Sequence, residues 1–258
     1  MNKLKSILTR HRGLVGAVSL ALAVALIFWA VNSPAIVGAS ASVRELPIYS
    51  VKRGNKAVSL TFDAAWGNED TQKLIDILNT YGVKATFFLV GDWVDKYPES
   101  VKQLYDAGME IANHSNSHPH MSKLSAKEIM NEVTLCSEKI EAITGAPVEL
   151  FRCPYGEYDD NVITTIRDMG LSVIQWNVDS LDWKDLNAED IYTRVTGNLV
   201  PGSIVLFHNA AKHTPEALAD IIEYILASGY EIVPVSELLL SGEYEIDNTG
   251  MMVAKTAA

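Results

Sequence analysis

Cysteine is nearly missing from this chain: Cys136 and Cys153 are the only two in 258 residues. That is too few for a disulfide framework, and no C-x-x-C spacing offers a metal knuckle or redox pair. Basic residues are sparse beyond the N-terminus. Lys3, Lys5, Arg10 and Arg12 meet no acid before Glu45, so the remainder carries about −15 within a net charge of −11. No later Lys/Arg run supplies the counterion-displacing surface that nucleic acid requires, so no nucleic-acid partner is expected. A G-x-S-x-G elbow, a phosphate-binding loop and a dinucleotide fingerprint are all missing, which argues against nucleophilic-serine and nucleotide chemistry.

Long apolar runs are lacking too, with one exception. Gly13 to Val31 reads GLVGAVSLALAVALIFWAV without a charge, close to the roughly 20 residues that span the hydrocarbon of a bilayer. The basic residues before it hold the N-terminus in the cytoplasm and send the rest outward. This predicts a cytoplasmic n-region at 1–12 and an uncleaved transmembrane signal anchor at 13–31. The protein is then single-pass in a cell membrane with the rest of the chain extracytoplasmic. The alternative is secretion after cleavage at Ala39-Ser40-Ala41. Residues 32–56 read as linker and lead-in, and 241–258 as a C-terminal tail.

What is there between them is an ordinary globular composition, 48% apolar and 21% charged with 16 Gly and 9 Pro, enough to bury a large core. Short β-rich runs alternate with segments of helical period. Strands are predicted at 57–62, 85–90, 109–112, 149–151, 171–176, 203–207 and 231–234, with helices at 69–80, 100–107, 125–143 and 214–228. Ser125 and Glu128 form a capping-box pattern. One α/β domain follows, either a doubly wound sheet or a barrel short of eight units, and in both the active residues belong at the carboxyl ends of strands.

Polar residues do cluster there. Asp63, Asn113-His114, Arg152, Asn177 with Asp179, and His208 each follow an apolar run. His114 and His118 have the spacing of a pair that could meet one metal, but no H-E-x-x-H glutamate supplies a base, so the base has to come from elsewhere, with Asp63 the obvious donor. His208 can then serve as acid, Asp179 can set its tautomer, and Arg152 can hold the base by a bidentate contact. Such a set suits hydrolysis of an amide or ester.

Five motifs in order, T-F-D-A at Thr61 to Ala64, H-S-x-S-H at His114 to His118, R-C-P-Y at Arg152 to Tyr155, D-S-x-D-W at Asp179 to Trp183 and I-V-L-F-H at Ile204 to His208, resemble those of polysaccharide deacetylases with a NodB-homology domain. The lead-in segment and compact length are most similar to the sporulation-associated PdaB-type branch. The resemblance implies a single domain at 57–240, folded as an irregular (β/α) barrel of about seven units. It implies removal of N-acetyl groups from an amino-sugar polymer, with peptidoglycan the leading substrate. Asp63 is then the base, His208 the acid, Arg152 the partner of the base and Asp179 the residue tuning the acid. His114 and His118 hold a divalent metal, zinc first, with cobalt or manganese as alternatives. Tyr155, Trp183 and Leu206 bind substrate. Ala64 stands where the family has a metal-binding Asp, so the alternative is a weak or inactive glycan-binding homologue.

Overall fold

The computed structural model describes residues 20–29 and 44–255. Residues 20–29 are helical and belong to a separate unit from Glu45–Ala258. The n-region, most of the apolar run and the linker through residue 43 lie outside the described residues. No described helix is long and apolar enough to cross a membrane.

Residues 45–255 build an α/β domain with strands β1 (Ser50–Val51), β2 (Ala57–Ala64), β3 (Thr86–Leu89), β4 (Glu110–Asn113), β5 (Leu150–Phe151), β6 (Ser172–Val173), β7 (Val178–Asp179), β8 (Ile204–His208), β9 (Glu231–Ile232), β10 (Tyr244–Ile246) and β11 (Met251–Ala254). The helices are α1 (Thr71–Thr80), α2 (Gly91–Lys96), α3 (Pro98–Asp106), α4 (Ala126–Thr144), α5 (Asp160–Asp168), α6 (Ala188–Asn198), α7 (Thr214–Ala227) and α8 (Val235–Leu238).

A curled parallel sheet runs in the order β6-β5-β4-β3-β2-β8-β7, with β9 also paired to β2. β2 is buried along its whole length, as expected for a central strand covered on both faces. Val58, Leu60, Phe62 and Ala64 point to the helical layer and pack with Leu74, Leu78, Leu218 and Ile222. The alternate residues Ser59, Thr61 and Asp63 point the other way. Their hydroxyls are satisfied there: Ser59 Oγ donates to the Val233 carbonyl and Thr61 Oγ1 to the Val205 carbonyl, each at 2.7 Å. The polar face of one strand thus leads up to Asp63. The capping box at Ser125 and Glu128 forms, and Gly145, left-handed at φ 69, ends α4.

Two expectations are corrected. The strand expected over 171–176 shrinks to β6 and a single bridge at Ile174, because Ile48 takes the next bonds: Ile48 N–H donates to the Val173 carbonyl and Gln175 N–H to the Ile48 carbonyl. The chain then turns so that β7 pairs with β8. Nor is the C-terminal segment a tail. β10 and β11 pair antiparallel, and β11 pairs in parallel with β1. Gly202 makes the approach of β1 possible, since at φ 83 a Cβ would land on the Val51 carbonyl oxygen, a conformation and closeness that only glycine tolerates.

Candidate active site

Because the strands are parallel, their carboxyl ends share one rim, where polar groups from several strands converge on a cleft of about 530 Å³. Asp63, His114, His118, Tyr155, Asp179, Trp183, Leu206 and His208 all line it. Arg152 does not. It lies beneath the cleft with 0% exposure.

Arg152 Nη1 donates to Asp63 Oδ1 at 2.6 Å, while Nη2 donates to the Gln175 carbonyl at 3.2 Å. The guanidinium also sits 4.0 Å from the Phe88 ring centroid. The contact to Asp63 is therefore single rather than bidentate, because Asp63 Oδ2 turns toward His114 Nε2, 3.5 Å away. Burial alone would raise the Asp63 carboxyl. The positive charge of Arg152 outweighs it, with smaller contributions from the neighbouring His114 and His208, and holds Asp63 below the usual carboxylate range.

His114 and His118 lie on a loop after β4 in which Ser115 and His118 both have positive φ. His114 Nδ1 lies 2.8 Å from the Arg152 carbonyl, which can only accept, so Nδ1 carries the proton and the Nε2 lone pair faces the cleft. The two rings meet edge-on with centroids 4.9 Å apart. Burial lowers both imidazoles, His118 to about 4 with His114 adding to the effect. They are neutral at neutral pH, the form that binds metal. Yet among the described residues no three His, Cys, Asp or Glu side chains are grouped to share a cation. Asp63 is committed to Arg152, and Ala64 offers no oxygen. Two imidazoles fill only part of a tetrahedral shell, so the divalent-metal site expected from the resemblance is incomplete in donors.

The partner of His208 also differs from expectation. Asp182, not Asp179, sets it: Asp182 Oδ1 lies 2.8 Å from His208 Nδ1, and Oδ2 accepts from the His208 N–H at 2.8 Å and from Thr214 Oγ1 at 2.7 Å. The left-handed Leu181, φ 55, and the short 3-10 turn Asp182–Lys184 bring Asp182 back under the imidazole. Asp179 spends Oδ1 on the Leu181 N–H at 2.8 Å. Burial opposes protonation of His208, but the hydrogen bond and charge of Asp182, with Asp63 and Asp179 behind it, raise its pKa. With Nδ1 bonded to a buried carboxylate, Nε2 is left to exchange protons in the cleft.

The rim is aromatic. Tyr155, left-handed at φ 58 and 58% exposed, meets His118 edge-on and stacks with His120 at 4.6 Å. His120 in turn binds Glu157 at 2.7 Å. Trp183 projects with 52% exposure, and Leu206 lies buried in the lining. Trp66, which the sequence reading did not single out, stacks on His208 at 5.5 Å. Cys136 and Cys153 are free and buried, and burial pushes both thiols up to about 12. They are inert packing residues.

A family model described as polysaccharide deacetylase matches residues 50–174. A peptidoglycan-N-acetylglucosamine deacetylase of Bacillus cereus is 35% identical over 71% of this chain and 69% of its own length. The peptidoglycan-N-acetylmuramic acid deacetylase PdaC of Bacillus subtilis is 35% identical over 73% of this chain, which spans 40% of that longer protein. Among solved structures, a CE4 family pseudoenzyme from Bacillus anthracis superposes with a TM-score of 0.72 at 38% identity, over 74% of this chain and 68% of that one. A mutant of that pseudoenzyme with restored enzymatic activity aligns equally well, at 39% identity.

Proposed function

We propose, from the premise that this chain belongs to the polysaccharide deacetylase family, that it hydrolyses N-acetyl groups on an amino-sugar polymer, with peptidoglycan the leading substrate. One observation carries the reading. Asp63 and His208 are register partners on adjacent strands facing one cleft, and their surroundings push their pKa values in opposite directions. Opposed shifts of that kind separate a base from an acid. Asp63, kept ionised by Arg152, takes the proton of the attacking water. His208, kept protonated by Asp182, returns a proton to the departing amine. Leu206 and Trp183 bound the acetamido pocket, and the backbone at Tyr155 contributes to holding the developing oxyanion.

A second reading, a weakly active or silent glycan-binding homologue, is favoured by the incomplete donor set around His114 and His118. The two readings diverge in one assay. Muropeptides analysed by mass spectrometry after incubation of peptidoglycan with the protein lose an acetyl group under the first and lose little or none under the second. The sugar that loses it, N-acetylglucosamine or N-acetylmuramic acid, also fixes the substrate position.

Asp182→Asn is expected to move the alkaline limb of the pH–rate profile to lower pH, because an amide no longer stabilises the imidazolium and His208 loses its proton sooner. An unmoved limb would detach Asp182 from the acid. The PdaB-type placement and a location on the outer face of a bacterial membrane rest on the lead-in segment and on the basic-then-apolar N-terminus. N-terminal sequencing of the membrane fraction is expected to find residue 1 or 2. A mature protein starting near Ser42 would mean cleavage and secretion instead.

A further inference from the structure

The loop after β2 carries an exposed tryptophan over the acid, and much of the surrounding architecture serves to keep it there. Trp66 stacks on His208 with ring planes 24° apart, yet 45% of it stays exposed at the mouth of the cleft. Asn209, the residue after the acid and only 2% exposed, donates from Nδ2 to two successive carbonyls of this loop, Trp66 at 2.6 Å and Gly67 at 2.7 Å. Its own N–H is tied to the Asp63 carbonyl at 3.1 Å. Trp93 Nε1 donates to the same Gly67 carbonyl at 2.6 Å, and Asp70 Oδ2 accepts from the Ala210 N–H at 2.9 Å. Gly67, at φ 52, lets the loop pass Ala210, where a Cβ would meet the Ala210 Cβ at 2.6 Å. The loops that follow the base and the acid are thus clamped to each other, and the indole is fixed rather than free on the surface.

We infer that Trp66 forms a sugar-stacking subsite beside the acid, holding the pyranose ring next to the one whose acetamido group lies over Asp63 and His208, so that the site takes oligomers in preference to a single amino sugar. The inference rests on the reading of the cleft as an amino-sugar site. A pyranose presents a flat face of C–H bonds, and an exposed indole fixed at a cleft mouth is a complementary surface. Stacking is also the interaction open to this domain. Its acidic balance gives no long-range pull on an anionic wall polymer, so affinity has to come from contacts within the cleft. Asn209 acts through Trp66 as a positioning residue.

Calorimetric titration with N-acetylglucosamine and with its β-1,4-linked tetramer tests this on the full chain, without requiring turnover. The wild type is expected to bind the tetramer more tightly than the monomer. Trp66→Ala should weaken tetramer binding roughly tenfold while leaving the monomer unchanged, and Trp66→Phe should recover most of the loss. Asn209→Asp, which places a carboxylate against the two carbonyls it now clamps, should reproduce the Trp66→Ala phenotype with Trp66 still present. Tetramer affinity unaltered in Trp66→Ala, or no advantage of tetramer over monomer in the wild type, would overturn the inference. Acetate release is scored separately: tetramer binding that depends on Trp66 in a protein that releases no acetate keeps the subsite and discards hydrolysis.

Discussion

Asp63→Asn is expected to lower acetate release by roughly 10²–10⁴-fold, the range a positioned general base contributes, because an amide cannot take the proton of water. The same change should also destabilise the fold. Arg152 is wholly buried and Asp63 is the carboxylate it touches, at 2.6 Å, so the substitution leaves a guanidinium without its counter-charge. Breaking a buried pair in this way costs about 3–5 kcal/mol. The effect has a defined pH dependence. Since the folded Asp63 titrates below its ordinary value of 3.8, the pair stabilises fully above that value, and its contribution disappears as the pH falls through the lowered folded pKa. Thermal unfolding near neutral pH should therefore separate variant from wild type by several degrees. The gap should close in acid. An Asn variant with unaltered turnover would remove Asp63 from the mechanism, and equal melting temperatures would mean that Arg152 finds its compensation elsewhere.

Ala64→Asp is expected to tighten zinc binding. Two imidazoles supply part of a shell and no negative charge. A third, anionic ligand is expected to tighten binding by about 10–100-fold, on the scale by which perturbing a metal's surroundings alters affinity. The structure adds a cost. Ala64 is 1% exposed, pairs with Leu89 and packs in the layer between sheet and helices, so a carboxylate there loses its hydration unless it turns over the end of the strand to a cation. The metal-free variant should accordingly melt below the wild type. Zinc should then raise its melting temperature by more than it raises that of the wild type, since a ligand that binds only the folded state adds stability with its affinity. A variant that neither binds zinc more tightly nor gains stability from it would show that position 64 cannot reach the histidines.

The motif residues were legible in sequence because a parallel sheet sends every strand's carboxyl end to one rim, and apolar runs ending in Asp63, Arg152 and His208 mark those ends. Helices with strong punctuation were legible for local reasons, as with Ser125, Glu128 and Gly145 around α4. What escaped depended on distance in sequence. Nothing near 171–176 signals that Ile48 will occupy the middle of that strand. The choice between Asp179 and Asp182 turns on a left-handed Leu181, a conformation leucine rarely adopts and composition does not announce. Trp66 and Asn209 are 143 residues apart, and only the pairing of β2 with β8 brings their loops together. Helices α5 and α6 are short and begin at Asp159 and Asn187 caps that read equally well as loop residues.

Hydrolysis of an acetamido group in this cleft, with Asp63 as base and His208 as acid, is tested by enzymatic measurement of acetate. The full chain, supplied in turn with zinc, cobalt and manganese, would be incubated with peptidoglycan and with the N-acetylglucosamine tetramer, alongside Asp63→Asn. Acetate released in step with new free amines, and lost in the variant, is the expected result. Glycan binding without acetate release under every metal would rule out that chemistry and leave the chain as a silent member of its family.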